Sequence, residues 1–268
     1  MEANTFYYPS TLLTKYIDRF YVFEYSAKDQ GELPQVLPGT GLELVYYLGK
    51  PLSVNGDVLP KMHTVCPRTI MQFDPQESAM FLSVRFKSGA FRHFTSVPFS
   101  ALNNQYISAT TLWGNKATEL IRKLDKPSKL LSKVQYIETF LIEMFNQHYD
   151  SKNDKWDKII DELYYYFDLN TITELAKKSD LSLRQFERNF KVQFGITAKE
   201  FQKISRFQTV TKKILFSKNP DYLGIILDGG YFDQNHFIKE FKAYTGTTPK
   251  QYFLDVNFDD RLYYNKKK

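Results

Sequence analysis

Two short stretches of this 268-residue chain carry side chains suited to hydrogen bonding at nucleic-acid base edges. In Ser182 to Phe201 (SLRQFERNFKVQFGITAKEF), Arg184, Glu187 and Arg188 fall at i, i+3 and i+4, on one face of a helix. In Asp233 to Tyr252 (DQNHFIKEFKAYTGTTPKQY), Gln234, Asn235 and Lys239 share a face, with His236 at its edge. A guanidinium pairs with guanine, an amide with adenine, and a carboxylate accepts from cytosine. A single face of this composition is ordinarily just solvated. These two differ in occupying the same place in two copies of one pattern.

Shifted by 51 positions, Phe186 falls on Phe237, Phe190 on Phe241, Lys191 on Lys242, Gly195 on Gly246, Thr197 on Thr248 and Phe201 on Tyr252. The stripes Phe186, Phe190, Phe194 and Phe237, Phe241, Tyr244 have helical spacing and should bury. Thr171…Glu174, Ser182…Gln185, Thr197…Glu200 and Thr248…Gln251 each spell a capping box. Pro249 suits the first helical position, where its missing N–H costs nothing. Each copy is preceded by a short capped helix and a tight turn, which is a helix-turn-helix layout. Phe201 to Phe216 reads as an amphipathic helix fixing the separation of the two copies. Ser182, Thr197, Lys242 and Thr248 are candidate phosphate contacts. Phe232 is expected to pack or turn rather than to act as a wedge into DNA.

Charge supports a polyanionic partner. The net charge is +6, and Leu169 to Phe253 holds 14 Lys and Arg against 8 Asp and Glu, so the whole excess lies in the duplicated region. A single cysteine, Cys66, makes no internal disulfide or cysteine metal cage and fits a reducing cytoplasm. The start of the chain lacks a signal-peptide pattern, and no apolar run reaches the ~20 residues of a membrane span. A cytoplasmic protein without membrane association is expected.

The elements that must position these residues imply an α+β chain. Residues 1–112 read as a β-rich, barrel- or sandwich-like domain with strands at 20–25, 42–48, 69–73 and 81–86 and a short helix opening near 89–94. Residues 113–150 read as a helical linker, broken at Lys126-Pro127-Ser128, that either dimerises or packs on the chain's own domains. Residues 150–154 read as a polar connection. Residues 151–254 form an all-α domain of two helix-turn-helix units joined by a long helix, and 255–268 a basic tail.

Catalysis has little support. His63, His93, His148 and His236 show no metal-ligand spacing, Cys66 reads as a buried apolar residue rather than a nucleophile, and Gly39-Thr-Gly41 is too short for a phosphate loop. No metal or cofactor is expected. If the β domain holds a ligand, Tyr21, Glu43, Tyr46 and Arg85 are the candidate contacts.

From about Trp156 to Phe253 the chain resembles the DNA-binding domain of the AraC/XylS family of bacterial transcription regulators. Gly230-Tyr231, Asp233, Phe237, Phe241-Lys242, Gly246-Thr247-Thr248-Pro249 and Tyr252 carry the resemblance. Departures are Asn235 for serine, Ile226 for alanine, Asp180 for glycine and Phe253 for arginine. The resemblance implies double-stranded DNA as partner, with the second helix of each unit in successive major-groove segments. Its base-reading positions fall on Arg184, Glu187, Arg188, Gln234, Asn235, His236 and Lys239. Pro38 to Gly41 with LELVYYL, and SVRFKSGAFRHF, resemble a sensor-like domain often fused to it, implying a small-molecule or protein signal. RNA polymerase is a further implied partner, and a monomer or homodimer is compatible with two readers in one chain. Two alternatives stand beside this regulator. The N-terminal domain could be a cupin-like enzyme or ligand-binding domain that the other half tethers to DNA, or the duplicated units could bind protein.

Overall fold

Strict alternation of side chains builds the N-terminal half. The computed structural model describes residues 5–30, 35–166, 170–217 and 221–255. The strands are β1 (Phe6–Tyr7), β2 (Ile17–Ser26), β3 (Leu42–Tyr47), β4 (Ser53–Val54), β5 (Asp57–Val58), β6 (Met62–Val65) and β7 (Ser78–Phe86). Five of them form one antiparallel sheet in the order β1-β2-β7-β3-β6, and β4 pairs with β5. Leu42, Leu44 and Tyr46 of β3 join Phe20, Val22, Leu82 and Val84 in a core on one face. Val45 and Tyr47 join Tyr21, Phe23 and Tyr25 on the other. A period of two puts successive residues on opposite faces, so both faces of β3 are buried.

Thr69–Phe73, expected as a strand, is not one. Within it only Met71 forms a bridge, to Val36, and the strand beside β3 is Met62–Val65. Pro67 and Pro75 flank the misread run, and proline removes a ladder donor.

Helices α1 (Ala27–Gln30), α2 (Phe99–Leu102), α3 (Ala109–Trp113), α4 (Asn115–Leu124) and α5 (Leu130–His148) follow, with a 3₁₀ turn at Ala90–His93. Trp113, Leu120, Leu124, Val134, Ile137, Leu141 and Phe145 bury in the same core as the sheet. The helical segment after residue 112 therefore packs on the chain's own β domain. Residues 150–154 are not a free connection, because Ser151–Asn153 turns directly into α6 (Asp154–Tyr165).

The C-terminal half continues with α7 (Ile172–Lys178), α8 (Leu183–Phe194), α9 (Ala198–Phe216), α10 (Tyr222–Asp228), α11 (Gln234–Thr245) and α12 (Pro249–Asp255). The basic tail beyond residue 255 lies outside the described residues. Two aromatic cores flank α9. Phe201 and Ile204 belong to the first, and Phe207, Val210 and Ile214 to the second. One helix thus sets the spacing of both units.

Candidate nucleic-acid interface

Helices α8 and α11 are each fixed from below by phenylalanines. Phe186, Phe190 and Phe194 of α8 are at most 1% exposed and surround Trp156 at ring separations of 5.8, 6.3 and 6.2 Å. Phe237 and Phe241 of α11 bury against Phe207, Ile226, Tyr231 and Phe253, while Tyr244 is half-buried between the two cores. Burial of each such ring stabilises by roughly 1.5–3 kcal/mol. Ile226 fills the second core, and Phe253 packs beside it. Asp180 adopts a left-handed φ of 55° in the first turn, which an aspartate tolerates.

All four hydroxyls cap helix starts, and two of the four spelled capping boxes are complete. Thr171 with Glu174 and Ser182 with Gln185 form complete capping boxes. Thr197 and Thr248 accept only from the backbone N–H of Glu200 and Gln251, at 3.1 and 3.3 Å. Asp233 caps α11 by accepting from His236 N–H at 2.7 Å. The hydroxyls of Ser182, Thr197 and Thr248 are thus engaged in caps, whereas Lys242 is exposed.

With these supports, Arg184, Glu187 and Arg188 are exposed on α8, and Gln234, Asn235 and Lys239 on α11. His236 is half-buried against Tyr231, with ring centroids 5.2 Å apart. Each unit therefore presents a polar face at the start of its second helix. Phe232, expected to pack or turn, does not pack: it stands 87% exposed in the bend before α11.

The second unit is locked by groups that periodicity does not reveal. Arg206 of α9 pairs with Glu240 of α11 at 2.6 Å and lies 4.3 Å over the Tyr231 ring. Tyr231 donates to Glu240 at 2.5 Å. Burial and the Glu240 carboxylate push the Tyr231 hydroxyl far above its ordinary pKa, so it remains a donor.

The first unit is held by the N-terminal half. Asp157 of α6 pairs with Arg92 and Lys15, the latter at 2.9 Å, and accepts from His93 at 3.0 Å. Burial alone would raise the Asp157 carboxyl. The His93 hydrogen bond and the Arg92 charge outweigh it and hold the group well below the usual carboxylate range. Arg92 also lies 5.2 Å over the Phe194 ring, and Asn103 donates to Phe194 O at 3.4 Å. On α9, Gln208 accepts from Thr40 N–H at 3.2 Å. The hydrogen bonds among these ties span 64 to 168 positions of sequence, which is why local pattern cannot find them.

Residues 175–254 match the family described as a helix-turn-helix domain. This part of the chain is an AraC-type helix-turn-helix domain. Residues 5–108 match a domain of unknown function (DUF6597). No curated protein matches the chain. Among solved structures, ToxT from Vibrio cholerae is 12% identical, covering 89% of this chain and 98% of its own, with a TM-score of 0.45. Unsaturated fatty acid bound ToxT from the same organism is 10% identical over 96% of this chain and 98% of its own, with a TM-score of 0.42. The C-terminal domain of the response regulator YesN from Fusobacterium nucleatum is 32% identical over 38% of this chain and 98% of its own, with a TM-score of 0.33.

Attached to the AraC-type domain, the sheet brings three of four ligand candidates together. Tyr21 donates to Glu43 Oε2, Ser83 donates to the same oxygen at 2.8 Å, and Glu43 stands opposite Arg85. Tyr46 lies on the other face, donating to Asp125 at 2.8 Å. Glu43, Arg85 and Gln208 line a pocket of about 20 Å³, space for a water-sized group. His63 is buried and its pKa lowered to about 4 by that burial, so it is neutral at pH 7. Cys66 is buried, and burial pushes its thiol up. Among the described residues no group of three or more His, Cys, Asp or Glu could hold a metal ion, and no helix is long and apolar enough to cross a membrane.

Proposed function

We propose that this chain is a sequence-specific regulator of transcription that reads double-stranded DNA with α8 and α11. The observation that carries this is the pairing of two equivalent capped helices, each anchored by buried phenylalanines and each presenting exposed polar groups at its start. Arg184, Glu187, Arg188, Gln234, Asn235, His236 and Lys239 are the base-reading set. Lys242 and the backbone N–H groups at the starts of the helices capped by Ser182, Thr197 and Thr248 hold phosphates. The two helices enter successive major-groove segments about 34 Å apart. A signal reaches them through the N-terminal half by way of the contacts at Asp157 and Gln208. No catalytic step belongs to this function, and RNA polymerase is its protein partner.

Selection of the full-length protein on a random double-stranded DNA pool near physiological salt tests it. A two-part, non-palindromic motif with halves about ten base pairs apart is expected. Binding without base preference, or a salt slope too shallow for several phosphate contacts, would refute it.

A further inference from the structure

Phe232 sits immediately before Asp233, the N-cap of α11, yet its side chain is 87% exposed. A hydrophobic residue just before an N-cap ordinarily packs on the first turns of the helix as a staple. Leu181 occupies that place before α8 and packs against the first core. Before α11 the staple is made one residue earlier: Tyr231 is 3% exposed, with its ring 5.1 Å from that of Phe237. Phe232 is thereby turned outward. Its position is set from both sides, since its backbone N–H donates to His236 Nδ1 at 3.5 Å and Asp233 accepts from His236 N–H at 2.7 Å. The large ring therefore stands in water at the start of α11, in the same stretch of chain as the exposed Gln234 and Asn235, the end of a recognition helix that ordinarily meets base edges.

The geometry points to Phe232 as an additional specificity residue of the second unit, packing on the 5-methyl group of a thymine in the half-site read by α11. Thymine alone among the bases presents an apolar group in the major groove, and phenylalanine is one of the side chains that meets it. Phe232, Gln234 and Asn235 are all exposed at one helix start, which would offer amides for adenine and an apolar plate for a neighbouring methyl. This inference rests on the DNA-reading function proposed above.

The test uses full-length protein and its selected site, with each thymine replaced in turn by deoxyuridine, which lacks only the methyl. Burial of one methyl-sized group contributes about 0.8 kcal/mol, roughly a fourfold change in affinity. The expected result is one position in the α11 half-site where deoxyuridine weakens binding about fourfold, with that sensitivity lost in Phe232→Ala and retained in Phe232→Leu. Because Phe232 is exposed, both variants should fold as the parent does, which circular dichroism checks. The inference is overturned if no thymine is sensitive, if Phe232→Ala keeps the sensitivity, or if Phe232→Ala weakens all sequences equally. Failure to select any site would refute the DNA-reading function itself, whereas a selected site without methyl sensitivity would refute only the role of Phe232.

Discussion

The two helix-turn-helix units have the same local design and different attachments. Each second helix ends at a left-handed glycine, Gly195 with φ 72° and Gly246 with φ 75°. A Cβ on Gly246 would meet nothing within 4 Å. One on Gly195 would lie 2.6 Å from Ser100 N and close to Asn103, because the N-terminal half is seated against the end of α8. The first unit is thus tied to the N-terminal half through α6 and α8. The second is tied to α9 through Arg206, Glu240 and Tyr231, and among the described residues takes only Leu37 of the N-terminal half into its buried core. A duplicated pattern therefore keeps what makes a helix, while what fixes that helix in space differs between copies.

Removal of each half-buried acid gives the largest effect and the cleanest separation of the two attachments. Asp157→Ala leaves Arg92, only 7% exposed, without its partner, and Glu240→Ala does the same to Arg206, 17% exposed. Breaking one side of a buried pair costs about 3–5 kcal/mol, toward the lower end here because of partial exposure. Denaturant titration should register a loss of about 3 kcal/mol in both variants. Hydrogen exchange should then assign it, with Asp157→Ala loosening α8 against the β domain and Glu240→Ala loosening α11. Equal loosening of both helices by either variant would mean the units are not held separately.

How much of this was legible from sequence follows the same division. Phe186, Phe190 and Phe194, the caps at Thr171 and Ser182, and the break at Pro127 are local signals of period and hydrogen-bond geometry, and they specified the helices correctly. The strand at Met62–Val65 was missed because a four-residue segment containing His63 and Thr64 carries no apolar alternation, and its pairing partner β3 lies beyond a separate hairpin, β4 and β5. Asp157, Arg92, Asn103 and Gln208 went unnoticed because each looks like an ordinary surface polar residue until the two halves meet. Of the ligand candidates, Tyr46 lies three residues after Glu43 on β3, so strand alternation alone sets it on the opposite face, whereas the pairing of Glu43 with Arg85 and its bond to Tyr21 needed the register.

The cap glycines sharpen the comparison next. Gly246→Ala should cost about 1–2 kcal/mol, the penalty of a left-handed backbone for a residue with a Cβ. Gly195→Ala should incur the same penalty plus overpacking against Ser100 and Asn103, about 3 kcal/mol in all. Thermal denaturation of the two variants side by side measures the difference. Equal shifts would show that the N-terminal half yields freely at Asn103.

On DNA the two units should separate by position. Arg188→Ala should weaken binding by about 1–3 kcal/mol and relax base choice at one position of one half-site. Asn235→Ala should do so in the other half-site, within the same range. Repeating the selection with each variant checks this. Relaxation of the same half-site by both would mean that α8 and α11 do not read separate segments.

The smallest effects come from the caps, and they test whether charge at a helix start matters equally in both units. Ser182→Ala removes a neutral cap that is part of a complete box, and should cost about 1 kcal/mol. Asp233→Asn keeps a side-chain acceptor for His236 N–H but removes the negative charge from the positive end of α11, a loss of about 0.3–1 kcal/mol at low ionic strength that salt screens. On the proposed docking, that same negative charge would repel phosphates near the start of α11. Asp233→Asn should therefore weaken the fold slightly while strengthening DNA binding at low salt, and both changes should shrink as salt rises. Denaturation and DNA titration across a salt series would record the opposite signs. If Asp233→Asn weakened both folding and DNA binding, the start of α11 would not be close to the phosphate backbone, and the second unit would be docked in some other way than the first.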